Sequence, residues 1–555
     1  MTAITSRLII AITALIVLYP VALVFYQSFL SEPFFSPAAN WTLDAYTFVT
    51  TDEYFHEALI NTLIIAVGMT VIAVPFGALL AFLMVRTDLP GKGIIEPFIM
   101  TPIFISPMVL AFGYVVAAGP VGLVSIWAKQ IFGQVPWYLY SMTSFVVIAG
   151  LTHVPHAYLY AASALRNIGS DVEEAARCSG AGPLRVAMTV SLPMITPSLC
   201  FSALLIFFLG FEMFGLPLVL GDPEGITVLA TYLYKLTSLL GTPAYQMMAV
   251  VVVFIFLVSI PLVYLQRRVL MVANRYISVK GKAAGQRPLP IGGWKWVAAV
   301  VIALWILVTV IVPIGGLVLR ASLTTWGEGV VLLDALTFDH FRELFMYPQI
   351  TRSIVNTLLM ATVGGALAVG AYCVLALATH RRNDGWTRLM DYVVLLPRAM
   401  PGLVAGLAIF WVFLFTPFMA SWRQTLISVW LAYTIVWLAY GLRLISAAFM
   451  QISPDLEEAA RVAGASGARA SRDVTLPLAR AGILGSWLLI FIMFTREYST
   501  GVYLLSPGAE TIGSLLVSLW AGGNIDSVTA LATVNLGFIA VGVLLLWLFG
   551  ERRNG

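Results

Sequence analysis

The polar stretch DVEEAARCSGAG, residues 171–182, returns nearly unchanged as DLEEAARVAGAS at residues 455–466 of this 555-residue chain. Both copies lie between long apolar runs. A segment repeated at this distance is typical of an internal duplication, in which each half of the chain carries one copy. We name the copies the first repeat loop (about residues 170–181) and the second repeat loop (about residues 454–465).

The rest of the sequence is that of an integral membrane protein. It is 60% hydrophobic and only 10% charged, whereas a soluble domain carries about 25% charged residues. Several apolar runs exceed the roughly 18 to 20 residues that cross a bilayer as a helix. The net charge of +4 is too small to indicate binding to nucleic acid.

The apolar runs predict an all-α membrane fold with about 12 transmembrane helices. They lie near residues 8–30, 58–85, 94–118, 143–166, 195–220, 247–267, 296–320, 353–379, 389–415, 424–446, 480–504 and 528–549. We interpret the first run as a retained anchor rather than a signal peptide, because no small-residue cleavage site precedes the polar segment that follows it.

The basic residues predict the orientation of these helices. If the N-terminus is cytoplasmic, 23 of the 31 Lys and Arg residues fall on the cytoplasmic side and 6 on the outer side. The positive-inside rule then places both termini and both repeat loops in the cytoplasm. A basic linker at 268–295 separates a first half, 1–267, from a second half, 296–555. Each half has six spans, so the two copies share one orientation.

Three further repeated features of the sequence support the duplication. In each case a short motif of the first half recurs at the corresponding place in the second half. These motifs are NTLIIAV from Asn61 and NTLLMAT from Asn356, the carboxylates Glu212 and Glu497, and the proline pairs Pro102/Pro107 and Pro397/Pro401. We expect parallel repeats related by a two-fold axis along the membrane normal.

Each repeat loop is predicted to be a short helix that ends in a sharp turn. Asp171 with Glu174 has the spacing of a capping box, and Ser453-Pro454 offers a start for the second helix. Gly180 and Gly464 suit a C-terminal turn, where a positive φ angle is needed. A short, flat helix that presents alanines to the cytoplasm suits the docking of another subunit.

Both loops resemble the EAA loop of ABC importer permeases, whose pattern is Glu-Ala-Ala, three residues, Gly, nine residues, Ile, any residue, Leu-Pro. Both copies match, except that Val190 and Val474 replace the Ile. The resemblance covers the whole chain and is to the fused double permeases of the ferric-iron, thiamine and aminoalkylphosphonate group. It implies a type I importer fold. It also implies ATPase coupling through eight residues: Glu174, Ala175, Ala176, Gly180, Glu458, Ala459, Ala460 and Gly464.

The resemblance implies a permease subunit of a bacterial inner-membrane importer rather than an enzyme. A cytoplasmic ABC ATPase dimer and an extracytoplasmic solute-binding protein would be its partners. The chain contains no G-x-x-x-x-G-K-[ST] motif, so we expect no cofactor in this chain and Mg-ATP bound by the ATPase subunits. Ferric iron is the favoured cargo, and a phosphonate, sugar phosphate or other small anion is the alternative. A secondary transporter is the alternative class.

Ionisable residues inside predicted spans are candidates for the solute pathway, because charges in a bilayer are costly. The alternative is an interhelical ion pair, such as Arg398 with Glu497, or a helix end near the interface. We expect Asn61 and Asn356 to bond helices together. No metal site is predicted, since His153 and His156 alone are a weak pair of ligands. The pathway candidates are Glu212, Arg398, Arg496 and Glu497.

Overall fold

The computed structural model describes residues 3–167, 170–237, 243–276, 288–398 and 400–551, which are mostly α-helical. The helices of the first half are α1 (Ala3–Ser28), α2 (Asp44–Thr51), α3 (Glu53–Arg86), α4 (Lys92–Phe104), α5 (Pro107–Ala118), α6 (Leu123–Phe132), α7 (Met142–Arg166), α8 (Ser170–Cys178), α9 (Pro183–Val186), α10 (Leu192–Glu212), α11 (Leu229–Lys235) and α12 (Tyr245–Tyr276).

The second half begins with the helices α13 (Trp294–Ile306), α14 (Val312–Ala321), α15 (Asp339–Met346), α16 (Pro348–Leu359), α17 (Gly365–Thr379), α18 (Gly385–Val393) and α19 (Leu395–Arg398). It continues with α20 (Gly402–Phe415), α21 (Leu426–Val436), α22 (Leu438–Met450), α23 (Pro454–Val462), α24 (Gly467–Ala470), α25 (Leu476–Arg496), α26 (Ile512–Ala521) and α27 (Ile525–Glu551). π-Helical turns lie at Ala187–Ser191, Pro217–Gly221, Leu307–Ile311, Met360–Gly364 and Ser471–Thr475.

The multi-pass helical fold predicted from the sequence is confirmed. Within the described ranges, ten helices are long and apolar enough to cross a membrane, or eleven if the bent pair α21 and α22 forms one span. Each predicted span overlaps one of these, except the ninth, which overlaps the shorter apolar helix α20. Helix α12 continues through Tyr276, and so includes the first residues of the predicted linker at 268–295. Residues 277–287 lie outside the described part.

Prolines break two of the predicted spans, so the prediction of one continuous helix at each is wrong. The run at 94–118 divides into α4 and α5, and the run at 389–415 divides into α18, α19 and α20. Ser106, which precedes Pro107, has an extended backbone with φ −62° and ψ 131°. Proline disfavours a helical conformation in the residue before it and cannot donate a helical hydrogen bond, so the helix restarts at Pro107.

The described chain packs as two compact units, and each combines segments from both sequence halves. The first unit comprises Met1–Val49, Leu236–Phe256 and Phe338–Gly555. The second comprises Thr50–Lys235 and Leu257–Thr337. The division runs through α12, so neither unit is one uninterrupted half of the sequence.

The core of the second unit is formed by α3, α7 and α10. Small residues let these helices approach closely: a methyl group at Gly77 of α3 would come within 2.5 Å of the Cβ atom of Ala157 on α7. The span formed by α13 and α14 belongs to this unit and packs mainly on α5. Tyr114 of α5 donates to the carbonyl of Val308 at 3.0 Å, which fixes this contact.

The core of the first unit is formed by α17, α22, α25 and α27, all from the second sequence half. The N-terminal helix α1 belongs to this unit, where it packs on α17, α18 and α20. Tyr19 of α1 shares a hydrogen bond of 3.3 Å with Thr416. In each unit, therefore, the first span of one half packs on helices of the other half.

Candidate functional site: the repeat loops and the charged helix ends

The two repeat loops fold into the predicted short helices, α8 and α23, each of nine residues. The second helix begins as expected: the Ser453 side chain accepts from the backbone N–H of Asp455, and Pro454 occupies the first helical position. The side chain of Asp171, the predicted cap of the first helix, lies outside the described part of the structure.

Both loop helices end in the same glycine turn, as the spacing predicted. Gly180 has φ +85° and Gly464 has φ +88°. In the first loop, Ala181 donates its backbone N–H to the Ala176 carbonyl at 3.0 Å, and Ala465 does the same to Ala460 in the second loop. These are the bonds of a Schellman turn, whose left-handed position favours glycine because it has no Cβ atom.

A π-helical turn leads from each loop into the next long helix. In the first copy, Leu192 donates to the carbonyl of Ala187, five residues back, and Leu476 donates to Ser471 in the second. A proline follows each leucine and has no N–H to offer the carbonyl four residues before it, so the hydrogen-bond pattern widens by one residue. The predicted Leu-Pro re-entry points therefore begin α10 and α25.

The residues proposed to couple to an ATPase lie on the open side of each loop. In the second loop, Glu458, Ala459 and Gly464 are exposed and Ala460 is half-buried. In the first loop, Ala175 and Gly180 are exposed, and Glu174 and Ala176 are half-buried. Val462 is 90% exposed and Leu456 is 48% exposed on the second helix. This surface is open to a partner within the described part of the molecule.

A different glutamate, which the sequence interpretation missed, ties the first loop to the protein body. Glu173 is buried, and its Oε1 atom lies 3.2 Å from the Nε atom of Arg86, at the end of α3. The Nε hydrogen does not point along this line, so the contact is an ion pair rather than a hydrogen bond. Ser191 donates its hydroxyl to the same carboxylate oxygen at 2.7 Å.

The second loop repeats this arrangement with Glu457. Its carboxylate lies 3.2 Å from Arg381 and 3.1 Å from His380, and Thr475 donates to it at 2.9 Å. Partial burial acts to raise the pKa of the Glu457 carboxyl, but Thr475, His380 and Arg381 outweigh burial and hold that pKa below its usual range.

The sequence does contain a signal for these contacts. Glu173 and Ser191 are 18 residues apart, as are Glu457 and Thr475. Arg86 follows Asn61 at the same distance at which Arg381 follows Asn356. The repeat therefore preserves both partners of each pair, although nothing local indicates that they meet.

The intramembrane carboxylates lie at helix ends rather than inside helices, which corrects the predicted spans 195–220 and 480–504. α10 ends at Glu212, and α25 ends at Arg496, one residue before Glu497. Both helices have 21 residues, so each reaches about 30 Å from its first residue. Glu212 and Arg496 are half-buried, and the side chain of Arg398 lies outside the described part.

Glu497 is 7% exposed and organises the turn that follows α25. Its Oε1 atom accepts bonds of 3.0 to 3.1 Å from the Ser499 hydroxyl and from the hydroxyl and backbone N–H of Thr500. Its Oε2 atom accepts from the indole of Trp437 at 3.2 Å. Trp437 lies where α21 and α22 meet at 61°, so this carboxylate holds a helix end against a helix bend.

The paired Asn-Thr motifs bond the second span of each half to the segment around the start of a short helix. The prediction that the asparagines join two helices is met only in part, because each asparagine bonds carbonyls of the non-helical residues that precede that helix. Asn61 donates to the Thr227 carbonyl at 3.0 Å, and Thr62 accepts from the backbone N–H of Leu229 at 2.9 Å. In the second half, Asn356 donates to the carbonyls of Gly508 and Glu510, and Thr357 accepts from Ile512. Each Thr thus accepts from the first residue of a short helix, α11 or α26.

His153 and His156, the weak ligand pair of the sequence analysis, contact the protein and each other. His153 contacts the Ala149 carbonyl through Nδ1 at 2.7 Å, and its ring stacks on that of His156 with centroids 5.4 Å apart. Within the described residues, no three His, Cys, Asp or Glu side chains converge where they could hold a metal ion.

Comparison with known proteins shows which family carries this arrangement. Residues 73–271 and 373–550 each match the family described as the binding-protein-dependent transport system inner membrane component. The ferric transport system permease protein FbpB of Actinobacillus pleuropneumoniae is 21% identical over 98% of this chain and 78% of its own length. The probable ABC transporter permease protein y4fN of Sinorhizobium fredii is 25% identical over 92% of this chain and 90% of its own.

A solved bacterial ABC transporter involved in the import of the acidic polysaccharide alginate is 20% identical, with a TM-score of 0.37 over 46% of this chain and 93% of its own. The two family matches together cover more than half of the chain and include both repeat loops. The chain therefore belongs to the family of binding-protein-dependent transport system inner membrane components, and carries the family's domain twice.

Proposed function

We propose that this chain forms the transmembrane pathway of an ATP-driven importer whose favoured cargo is ferric iron. Membership of a family of transport-system inner membrane components supports a role as a transport subunit of the ABC importer class rather than as an enzyme. The main observation in support of ATP-driven transport is the matched pair of loop helices. Both helices have the same glycine turn, the same contact of a glutamate with the rest of the chain and an exposed face.

The two loop helices are proposed as the docking elements for two ATPase subunits. Two equivalent helices suit a dimeric partner that offers two equivalent clefts. The proposed contact residues are Glu174, Ala175, Ala176 and Gly180 of the first loop, with Glu458, Ala459, Ala460 and Gly464 of the second. The ATPase subunits would bind Mg-ATP, and this chain would bind no cofactor.

Alternating access is the proposed mechanism. A loaded solute-binding protein docks on the outer loops, and ATP closes the ATPase dimer, which draws the loop helices together. The pathway then opens outward, and hydrolysis reverses the motion. The solute-binding protein outside and the ATPase dimer inside would thus shift the same equilibrium between an inward-open and an outward-open pathway. The chain would lie in the bacterial inner membrane with both termini in the cytoplasm.

The cargo assignment is supported by relatives named as ferric transport permeases, which are 21% and 22% identical to this chain. A phosphonate, sugar phosphate or other small anion is the alternative cargo. The pathway candidates are Glu212, Arg398, Arg496 and Glu497. Among them, Glu497 already accepts four hydrogen bonds from this chain, which favours a structural role for that carboxylate.

Uptake in cells tests this proposal. Deletion of the gene should abolish accumulation of labelled ferric iron and leave a labelled aminoalkylphosphonate unaffected; the reverse result would reassign the cargo to an anion. Glu458→Lys should leave the protein folded and abolish transport. Transport that persists in that variant, or that runs without ATP in vesicles, would refute ATPase coupling and favour a secondary transporter.

A further inference from the structure

The glutamates of each loop face in two directions. Glu173 and Glu457 point into the protein body, whereas their neighbours Glu174 and Glu458 are more exposed. Consecutive residues of a helix lie about 100° apart around its axis, so a Glu-Glu pair can serve two surfaces. The outward member is available to a partner, and the inward member is bound to this chain.

Each inward glutamate bonds to the same two places in the fold. One is the end of the second span of its half, at Arg86 or Arg381, and the other is the π-helical turn before the fifth span, at Ser191 or Thr475. The two copies differ by many substitutions in these regions, yet both keep a base, an acid and a hydroxyl together.

The backbone at Arg381 shows how firmly the second contact is held. Arg381 has φ +52°, which is the one positive φ angle of a non-glycine residue in the described ranges. L-residues disfavour this conformation, and it persists where the surroundings determine it. Here the guanidinium bonds both Glu457 and the Ile452 carbonyl, just before the second loop helix.

We propose that Glu173 and Glu457 are positioning residues that fasten each loop helix to the second span of its half. Movement of a loop helix would then be transmitted to α3 in the second unit and to α17 in the first. This inference rests on the proposed ATPase coupling. Loss of these contacts would leave the docking face intact and disconnect it from the membrane helices.

The test uses the second copy, because Arg381 and Glu457 are partly exposed and tolerate change better than the fully buried Arg86 and Glu173. The full importer would be reconstituted in vesicles with Glu457→Ala. We expect co-purified ATPase to stay near the wild-type amount, and cargo moved per ATP hydrolysed to fall about tenfold, as a loss of roughly 1.4 kcal/mol of coupling implies. Arg381→Glu combined with Glu457→Arg should restore most of the coupling.

Arg166→Ala is the matched control. It removes the ion pair in which Arg166 lies 2.6 Å from Glu96. The Arg166 side chain is 53% exposed and that of Glu96 is 39% exposed. Exposed pairs contribute little, so uptake per ATP should stay at the wild-type value.

A distance measurement reports on the fastening directly. Spin labels at Val462 and Asn383, both exposed, would be placed in a chain whose three cysteines are replaced. Glu457→Ala should broaden the distance distribution between them, and the charge swap should narrow it again.

Unchanged coupling with unchanged distances in Glu457→Ala would overturn the inference, as would loss of bound ATPase in proportion to uptake, which would make Glu457 a docking residue. A failure of the proposed function appears differently: the wild-type chain would then neither retain an ATPase nor show ATP-dependent uptake.

Discussion

The amide of Asn356 donates to the backbone carbonyl of Glu510 at 2.9 Å, although the two residues are 154 positions apart. The same amide donates to the Gly508 carbonyl at 3.1 Å. Asn61, its counterpart in the first half, donates to one carbonyl, that of Thr227. The start of each second span thus holds the backbone that precedes a short buried helix, with more bonds in the second half.

Asn356→Ala should therefore destabilise the protein more than Asn61→Ala. Buried carbonyls that lose their donor cost about 1 to 3 kcal/mol, so we expect about 2 kcal/mol for Asn356→Ala and about 1 kcal/mol for Asn61→Ala. Thermal unfolding in detergent micelles measures both. Asn383→Ala, at an exposed position, is the control and should leave the melting temperature unchanged. An equal or larger effect at Asn61 would contradict the structural ranking.

Gly464→Ala should destabilise the turn of the second repeat loop through backbone strain, without a steric clash. No atom lies within 4 Å of the position that a Cβ atom would take, but φ is +88°, and an alanine in this region costs about 1 kcal/mol. We expect reduced ATPase retention with little loss of global stability. Gly485→Ala, inside α25 and equally uncrowded, should be neutral or slightly stabilising. Retention that falls equally in both variants would exclude the backbone explanation.

Stability should fall in acid through Glu510. Burial acts to raise the pKa of this carboxyl, but the Arg352 guanidinium and the backbone N–H groups of Glu510 and Gly508 outweigh it and lower the pKa. A depressed carboxyl pKa stabilises the fold above the unfolded value of about 4.3, and this contribution is lost as pH falls through the folded value. Melting temperatures of wild type and Glu510→Gln should therefore differ at pH 7 and converge below about pH 4. A difference in melting temperature that persists below about pH 4 would mean that the charge of Glu510 does not cause it.

Glu497→Gln separates a structural role from a role in the solute pathway. The substitution replaces one carboxylate oxygen by an NH2 group, which cannot accept a hydrogen bond. Donors such as Trp437 or Thr500 then lose their acceptor. We expect a loss of about 1 to 3 kcal/mol in stability and uptake reduced only as far as folded protein is lost. Glu212→Gln is the comparison. A raised KM for uptake with an unchanged melting temperature would instead place Glu497 on the solute pathway.

Features of the site that have a local cause could be predicted from the sequence. Gly180 and Gly464 were predicted with positive φ because glycine at the end of a short polar helix has a local cause. Asn61 and Asn356 were predicted to bond helices, because polar side chains inside apolar helices require partners. The partners themselves could not be named, since Thr227 and Glu510 reach these helices only through the packing of the chain.

The anchoring role of Glu173 and Glu457 was missed for a related reason. In sequence, the two adjacent glutamates of each loop are equivalent, and the family pattern draws attention to the second. Only the rotation of the loop helix relative to α3 or α17 distinguishes them. The prediction of one continuous helix at 94–118 and at 389–415 is wrong, because hydropathy does not register the breaks at Pro107 and Pro401.

The sequence alone established a multi-pass helical membrane protein, its internal duplication and the short turn-ended helices of the loops, because hydropathy, periodicity and glycine geometry are local properties. The tertiary structure decided which first span packs on which core, which glutamate of each pair turns inward and which carboxylates lie at helix ends. These depend on contacts between residues that are distant in the chain, such as Tyr114 with Val308, Tyr19 with Thr416 and Glu173 with Arg86. Side-chain packing sets such contacts, and no single stretch of the chain encodes them.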